Sequence, residues 1–169
     1  MKKIIFLYLF LVLAVIALAV VKFTGIVSLF PGNPKSKPEA IINSAVFKIE
    51  IAKEAAAKEK GLSKRKSLDK DSGLLFIFDE KAKHQFWMKD MLFPIDIIYI
   101  AKTSTDSITT GTIVDIVENA KIPAKDTPPS SLEIYQPQKD ADLVLEINAG
   151  LTKEKGIKIG DTVTLKEVK

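Results

Sequence analysis

Across Val46 to Ala52, VFKIEIA, the apolar residues Phe47, Ile49 and Ile51 alternate with Lys48 and Glu50. A period of two puts one face of a strand on a core and the other in water. The next run, KEAAAKEK, lacks that alternation and is rich in strong helix formers up to Gly61, so it predicts a short helix of about two turns. Turn chemistry in DKDSG, Asp69 to Gly73, leads into LLFIF, a wholly apolar strand. Two further strands are expected from His84 to Met88 and from Ile95 to Ile100, with Pro94 at a strand edge where its missing N–H is tolerated. Thr103 to Ser107 turns the chain into an alternating run from Ile108 to Val117. Residues Glu118 to Gln138 contain Pro123, Pro128, Pro129 and Pro137, too many for a central strand, and read as a long surface excursion of the kind that often carries function. DLVLEIN at 142–148 resumes a strand, LTKEKG makes one helical turn, and Gly160 with Asp161 turns into TVTLKEV. About seven short strands with one or two short helices predict a mainly β fold, a small antiparallel β sandwich or barrel.

A different pattern opens the chain. Ile4 to Val21 are eighteen apolar positions without a charge, preceded by Lys2 and Lys3 and followed by Lys22. A helix of that length reaches roughly 27 Å, close to the hydrocarbon thickness of a bilayer. A cleaved secretory signal is the competing reading, since Ala17, Leu18 and Ala19 offer a small-residue site. The apolar run is longer than a signal core, however, and an uncleaved transmembrane helix is preferred. Both readings export the rest of the chain, and Lys2 and Lys3 favour a cytoplasmic N-terminus. Residues 1–22 are therefore expected to be a membrane anchor or signal segment and 23–43, with Pro31, Pro34, Pro38, Gly25 and Gly32, a flexible spacer. A β-rich domain over 44–169 follows, long enough for one hydrophobic core.

Charge changes the picture once it is located. The net charge is +4 and the isoelectric point near 9.1, which suggests an acidic partner. From Ala40 onward, however, nineteen lysines and one arginine face twenty acids, so the domain is formally neutral. The excess sits beside the anchor, where it suits anionic headgroups, and no nucleic-acid partner is expected. The absence of cysteine excludes disulfides, thiolate metal ligation and thiol catalysis.

The chain contains no nucleophile elbow, phosphate-binding loop, dinucleotide turn or paired-histidine zinc motif. DKDSG resembles the start of a calcium loop but lacks its sixth-position glycine, and one histidine cannot build a multi-histidine site. No metal, cofactor or catalytic set is assigned. Four features remain. Arg65 is the sole arginine among twenty-four lysines, which points either to a half-buried pair with a carboxylate or to a clamp on an anionic ligand. Asp96, between Ile95 and Ile97, must meet a cation, backbone amides or water if buried; Arg65 and Lys89 are candidate partners, and a strut is favoured over a general base. In HQFWM, alternation places His84, Phe86 and Met88 on one face and Gln85, Trp87 and Lys89 on the other. Trp87 beside Lys89 suits either a core edge or a ligand cleft. His84, the only histidine, follows Lys81 and Lys83 and reads as an exposed or singly bonded imidazole.

Three stretches in order, EIAKEAAAKEKGLSKRKSLDKDSGLLFIF, FWMKDMLFPIDIIYI and VLEINAGLTKEKGIKIGDTV, resemble the bacterial and archaeal domain of unknown function 192 family over about residues 46 to 165. The resemblance implies a β-rich single domain, often behind a signal or anchor, with no established activity. It marks Gly61, Leu62, Arg65, Leu68, Gly73, Phe76, Phe78, Phe86, Trp87, Met88, Lys89, Pro94, Asp96, Glu146, Gly150, Gly156, Gly160 and Asp161. The chain departs from the pattern at Ser63, where methionine is usual, and at Asp90 and Met91, which replace an Asn-Thr pair.

The expectation is thus a membrane-tethered extracytoplasmic binding or accessory domain, with Arg65, Trp87, Met88, Lys89, Asp90 and Asp96 around its cleft and a small-molecule, envelope or protein partner. An envelope hydrolase using Asp96 or His84 as acid or base is the alternative from another class, and a structural partner of a membrane protein is a third. If residues 4–21 anchor the chain, the full mass of about 18.6 kDa is recovered in the membrane fraction, with Lys139 open to external protease. A soluble product beginning near Val20 overturns the anchor.

Overall fold

The alternating run at 46–52 forms β2 (Ala45–Ala52), and its exposed and buried positions follow the sequence period. It is the second strand of a closed seven-stranded barrel in a computed structural model that describes residues 37–103 and 110–168. Ahead of it, β1 (Glu39–Ile42) forms an antiparallel hairpin with β2 and seals the barrel against β9 (Thr162–Lys166). The spacer expected through residue 43 therefore overlaps the barrel's first strand. EAII is only four residues long and directly follows Pro38, too short for its alternation to stand out. The apolar segment 4–21 lies outside the described residues. Among the described ones, no helix is long and apolar enough to cross a membrane.

After β2 the chain crosses over through α1 (Ala55–Lys60) to β3 (Ser72–Ala82), which runs parallel to β2, the one parallel pair in the barrel. Around the wall, β3 pairs with β8 (Ala141–Asn148), β8 with β5 (Ile95–Lys102), β5 with β6 (Thr110–Ala120), and β6 with β9, all antiparallel. The β3–β8 approach is close: a Cβ built on Gly73 would lie 2.9 Å from the Glu146 carbonyl oxygen. Any side chain there forces the two strands apart.

Two apolar layers hold the wall. Leu75, Ile77, Ile98, Ile100, Leu143, Leu145 and Ile147 fill the barrel interior with Phe47 and Val163. The opposite faces of the same strands carry Leu74, Phe76, Ile97, Tyr99 and Val144, which pack under Met88, Met91 and partly buried Phe86 and Tyr135. That outer cover is a two-stranded ribbon, β4 (Phe86–Trp87) with β7 (Ile134–Tyr135), so the strand expected from His84 to Met88 shortens to two residues. The proline-rich excursion supplies β7 and thereby serves as a lid on the second core. A single helical turn, α2 (Leu151–Glu154), follows β8.

Asp96 falls on the inward face at one end of the barrel and is completely buried. The Asn119 and Gly150 N–H groups donate to Oδ1 at 2.8 and 3.0 Å, and the Thr152 N–H and hydroxyl donate to Oδ2 at 2.9 and 2.6 Å. Three elements, β5, the end of β6 and the first turn of α2, are thus tied to one carboxylate. The expected cation is not there: Arg65 pairs elsewhere and Lys89 is exposed, because backbone amides that would otherwise be unsatisfied at a helix start suffice to stabilise the charge. Asp96→Ala leaves buried donors without an acceptor and is expected to lower the unfolding free energy by roughly 3 to 5 kcal/mol. In a double-mutant cycle read by chemical denaturation, its loss adds to that of Arg65→Met; coupling above about 0.5 kcal/mol contradicts the separation described here.

Candidate functional site

A concavity lies on the outer layer, between the end of α1 and the β4 segment. Helix α1 stops at Gly61, whose φ of 49° is a conformation that disfavours side-chain-bearing residues, and whose N–H donates to the Ala57 carbonyl. The chain then buries Leu62 and turns through Lys64, also at positive φ, whose N–H donates to the Asp90 carbonyl at 2.8 Å. That bond staples the α1 end to the β4 segment, and the Lys64 ammonium lies 3.9 Å from the Asp90 carboxylate. Strand alternation continues through this segment: Trp87 is 54% exposed while Met88 is buried, as the sequence period requires.

Between the two stapled segments is a cleft of about 280 Å³. Leu62, Phe76, Phe86 and Met91 supply its apolar lining, with the Phe76 and Phe86 rings edge to face at 5.0 Å. Lys58, Glu59, Lys60 and Lys89 bring charge to the same cleft, and Trp87 flanks it. Lys58 leans over the Phe78 ring at 4.8 Å, and His84 stacks on Phe78 with centroids 3.6 Å apart.

One acid also reaches this cleft. Glu50, Leu74, Glu146 and Ile97 occupy one row across β2, β3, β8 and β5 on the outer face of the wall. At a strand spacing of about 4.8 Å, the two glutamates start about 10 Å apart. Their surroundings divide them. Glu50 is exposed and receives Arg65 in a two-pronged pair at 2.5 and 2.8 Å, which holds its carboxyl below the usual range. Glu146 is only 6% exposed, and its Oε2 is buried without a hydrogen-bond partner. Burial pushes its carboxyl up to about 8, only partly countered by the Arg65 charge. At neutral pH it is a protonated acid with a proton to donate.

The six residues expected around the cleft therefore separate. Trp87 and Lys89 line it, and Asp90 lines an adjoining recess with them. Met88 faces the other way, toward a smaller cavity of about 190 Å³ under the 121–135 loop. Arg65 is half-buried with Glu50, and Asp96 is sealed at the barrel end. The family resemblance marked Glu146 without giving it a role, and sequence reasoning did not single out the lysines of α1. The signal for Glu146 was the same as for Asp96, an acid inside an apolar strand, DLVLEIN. The departures at Ser63, Asp90 and Met91 all fall on the cleft or its recess. Among the described residues no group of three or more His, Asp or Glu side chains is placed to hold a metal ion.

The family model for domain of unknown function 192, described as an uncharacterized ACR, matches residues 39–165. The chain belongs to this family. Its match takes in β1, in agreement with the barrel beginning at Glu39. Two solved structures are similar to this member of the domain of unknown function 192 family. A protein of unknown function from Novosphingobium aromaticivorans DSM 12444 shares 29% identity at a TM-score of 0.60, over 78% of this chain and 89% of its own. A putative transcription regulator from Sinorhizobium meliloti 1021 shares 29% identity at a TM-score of 0.62, over 80% of this chain and 97% of its own. No curated protein matches the chain.

Glu146 generates a pH signature. Its folded pKa, about 8, lies above the ordinary 4.5, so the folded chain keeps a proton that the unfolded chain releases. Glu146's contribution to stability therefore falls as pH rises through that window and levels off above it, a change on the order of a few kcal/mol. Glu146→Gln is expected to flatten this part of the stability profile in denaturation measured from pH 5 to 9. An unchanged slope in the variant would mean that Glu146 is ionised in the folded chain.

Proposed function

We propose that the chain is a membrane-tethered binding module that presents its barrel outside the cytoplasm and takes a small molecule in the cleft over Glu146. The observation that carries the reading is the buried Glu146 carboxyl, which lines the cleft and has one oxygen without a partner, beside apolar groups, three lysines, Glu59, Ser63 and Gln85. Buried polar groups are normally satisfied, so an unpartnered oxygen in a cleft calls for a water, an ion or a ligand to complete it. Tethering and export rest on the apolar run at 4–21 and its flanking lysines.

The hydrolase alternative has less support. Both oxygens of Asp96 are saturated by four donors away from solvent, the arrangement of a strut. His84 Nε2 lies 3.0 Å from the Glu80 carbonyl oxygen with its ring against Phe78. A protein-partner reading draws on the ribbon, where Trp87 and Ile134 are register neighbours and both exposed, at 54% and 45%. The regulator description of the Sinorhizobium meliloti relative is not carried over, because this domain's basic and acidic residues cancel from Ala40 onward.

Trp87, the only tryptophan, makes the test direct. A fragment library titrated into the full chain is expected to yield binders that shift Trp87 emission and move the amide resonances of Gly61, Leu62 and Ser63. Binders that leave those signals unmoved, or a library without binders, would overturn the cleft as the site.

A further inference from the structure

The cleft's chemistry narrows what it takes. We infer that its ligand is a small organic anion of about one ring in bulk, with its apolar body against Phe76, Phe86 and Trp87, a carbonyl or hydroxyl oxygen facing Glu146, and its anionic group at the lysines. This rests on the binding reading above. It identifies the ligand class for that same cleft.

Size comes first. A volume of about 280 Å³ is at the small end of ligand pockets and holds about one ring over Glu146, with the adjoining recess of about 440 Å³ open beside Lys60 and Lys89. Charge comes next. Among the described residues, no carboxylate lies within ion-pairing distance of Lys58, Lys60 or Lys89, and Glu59 is the only other acid on the cleft. Three ammonium groups against Glu59 favour an anion and repel a cation.

The carboxyl completes the assignment. An ionised Glu146 would repel an anion, and a protonated one does not. Protonated, the carboxyl has an O–H to give on the side chain that lines the cleft, while its enclosed Oε2 has no protein partner. The charged and titratable groups around it are Arg65, held by Glu50 of β2; Lys58, Glu59 and Lys60 of α1; Lys89 after β4; and Tyr99 of β5, whose own ionisation is raised by burial and by the nearby Asp115 and Glu146 charges. Arg65 is engaged in its pair and remains a background charge. Binding is then linked to one proton: the affinity holds while Glu146 is protonated and falls about tenfold per pH unit once it ionises, above roughly pH 8.

The test uses the full chain in dodecyl maltoside micelles and three probes that share a ring and a carbonyl: 4-acetylbenzoate, the neutral 4-methylacetophenone, and the cationic 4-acetylbenzylamine. Affinities come from saturation-transfer resonance and from Trp87 emission. The expected order is anion, then neutral, then cation, with at least a tenfold span between first and last. Glu146→Gln, which still offers an N–H donor but does not titrate, is expected to lose the decline in 4-acetylbenzoate affinity above pH 8. Lys60→Met with Lys89→Met is expected to erase the preference for the anion. Equal affinity for the three probes, preference for the amine, or a decline that persists in Glu146→Gln overturns the anion assignment while leaving cleft binding intact. If none of the probes perturbs Trp87, the anion assignment and the binding reading fall together.

Discussion

Strands β5 and β8 are buried on both faces, and the rest of the molecule is arranged around that constraint. One face closes the barrel interior and the other must be covered from outside, which is why the chain devotes the β4 segment and the 121–135 excursion to a two-stranded lid. Strands that see no water read as almost continuous apolar runs, and any acid within them has to be stabilised locally. There are three such acids, and the structure meets them in three ways. Asp96 gathers four hydrogen-bond donors. Asp142 accepts from the Lys102 N–H at 2.7 Å and has that residue's ammonium 3.8 Å away. Glu146 has no donor for Oε2 and keeps its proton.

The difference among the three separates architecture from chemistry. Asp96 binds a helix start to two strands, so its charge serves cohesion. Asp142 pins the far ends of β5 and β8 together. Only Glu146 faces a cleft, and it does so because its row on the outer wall meets the turn after α1. Arg65 stands near enough to be felt by both glutamates of that row, yet pairs with the exposed one. A surface pair of this kind contributes about 1 kcal/mol or less, so its larger consequence is electrostatic: the guanidinium is partly neutralised by Glu50, and its charge only partly offsets the burial that weakens the Glu146 acid.

The cleft's walls are held by short-range devices. The Lys64 to Asp90 bond, the positive-φ positions at Gly61, Lys64 and Asp90, and the buried anchors Leu62, Met88 and Met91 fix two otherwise irregular segments against one another. A site placed on such segments over a rigid barrel can vary its contacts without disturbing the core. The departures from the family pattern at Ser63, Asp90 and Met91 sit in that variable layer, whereas the barrel strands carry the apolar runs that define the fold.

Local pattern determined most of the elements. Alternation marked β2, apolar runs marked β3, β5 and β8, helix formers ending at Gly61 marked α1, and prolines marked the excursion, because periodicity and backbone restriction act over a few residues. Composition likewise located the neutral domain and the lone arginine. The partners of the charged residues were decided elsewhere. Asp96 could take a cation or amides, and the return of the chain through Gly150 to Thr152 selected amides. Arg65 could reach either of two acids on one row, and exposure selected Glu50. Glu146 and the α1 lysines are more than eighty residues apart in sequence, and only the chain's crossover after β2 brings the end of α1 to the same cleft as Glu146. Strand closure acts over the whole chain, and a charge's partner is fixed only when that closure is complete.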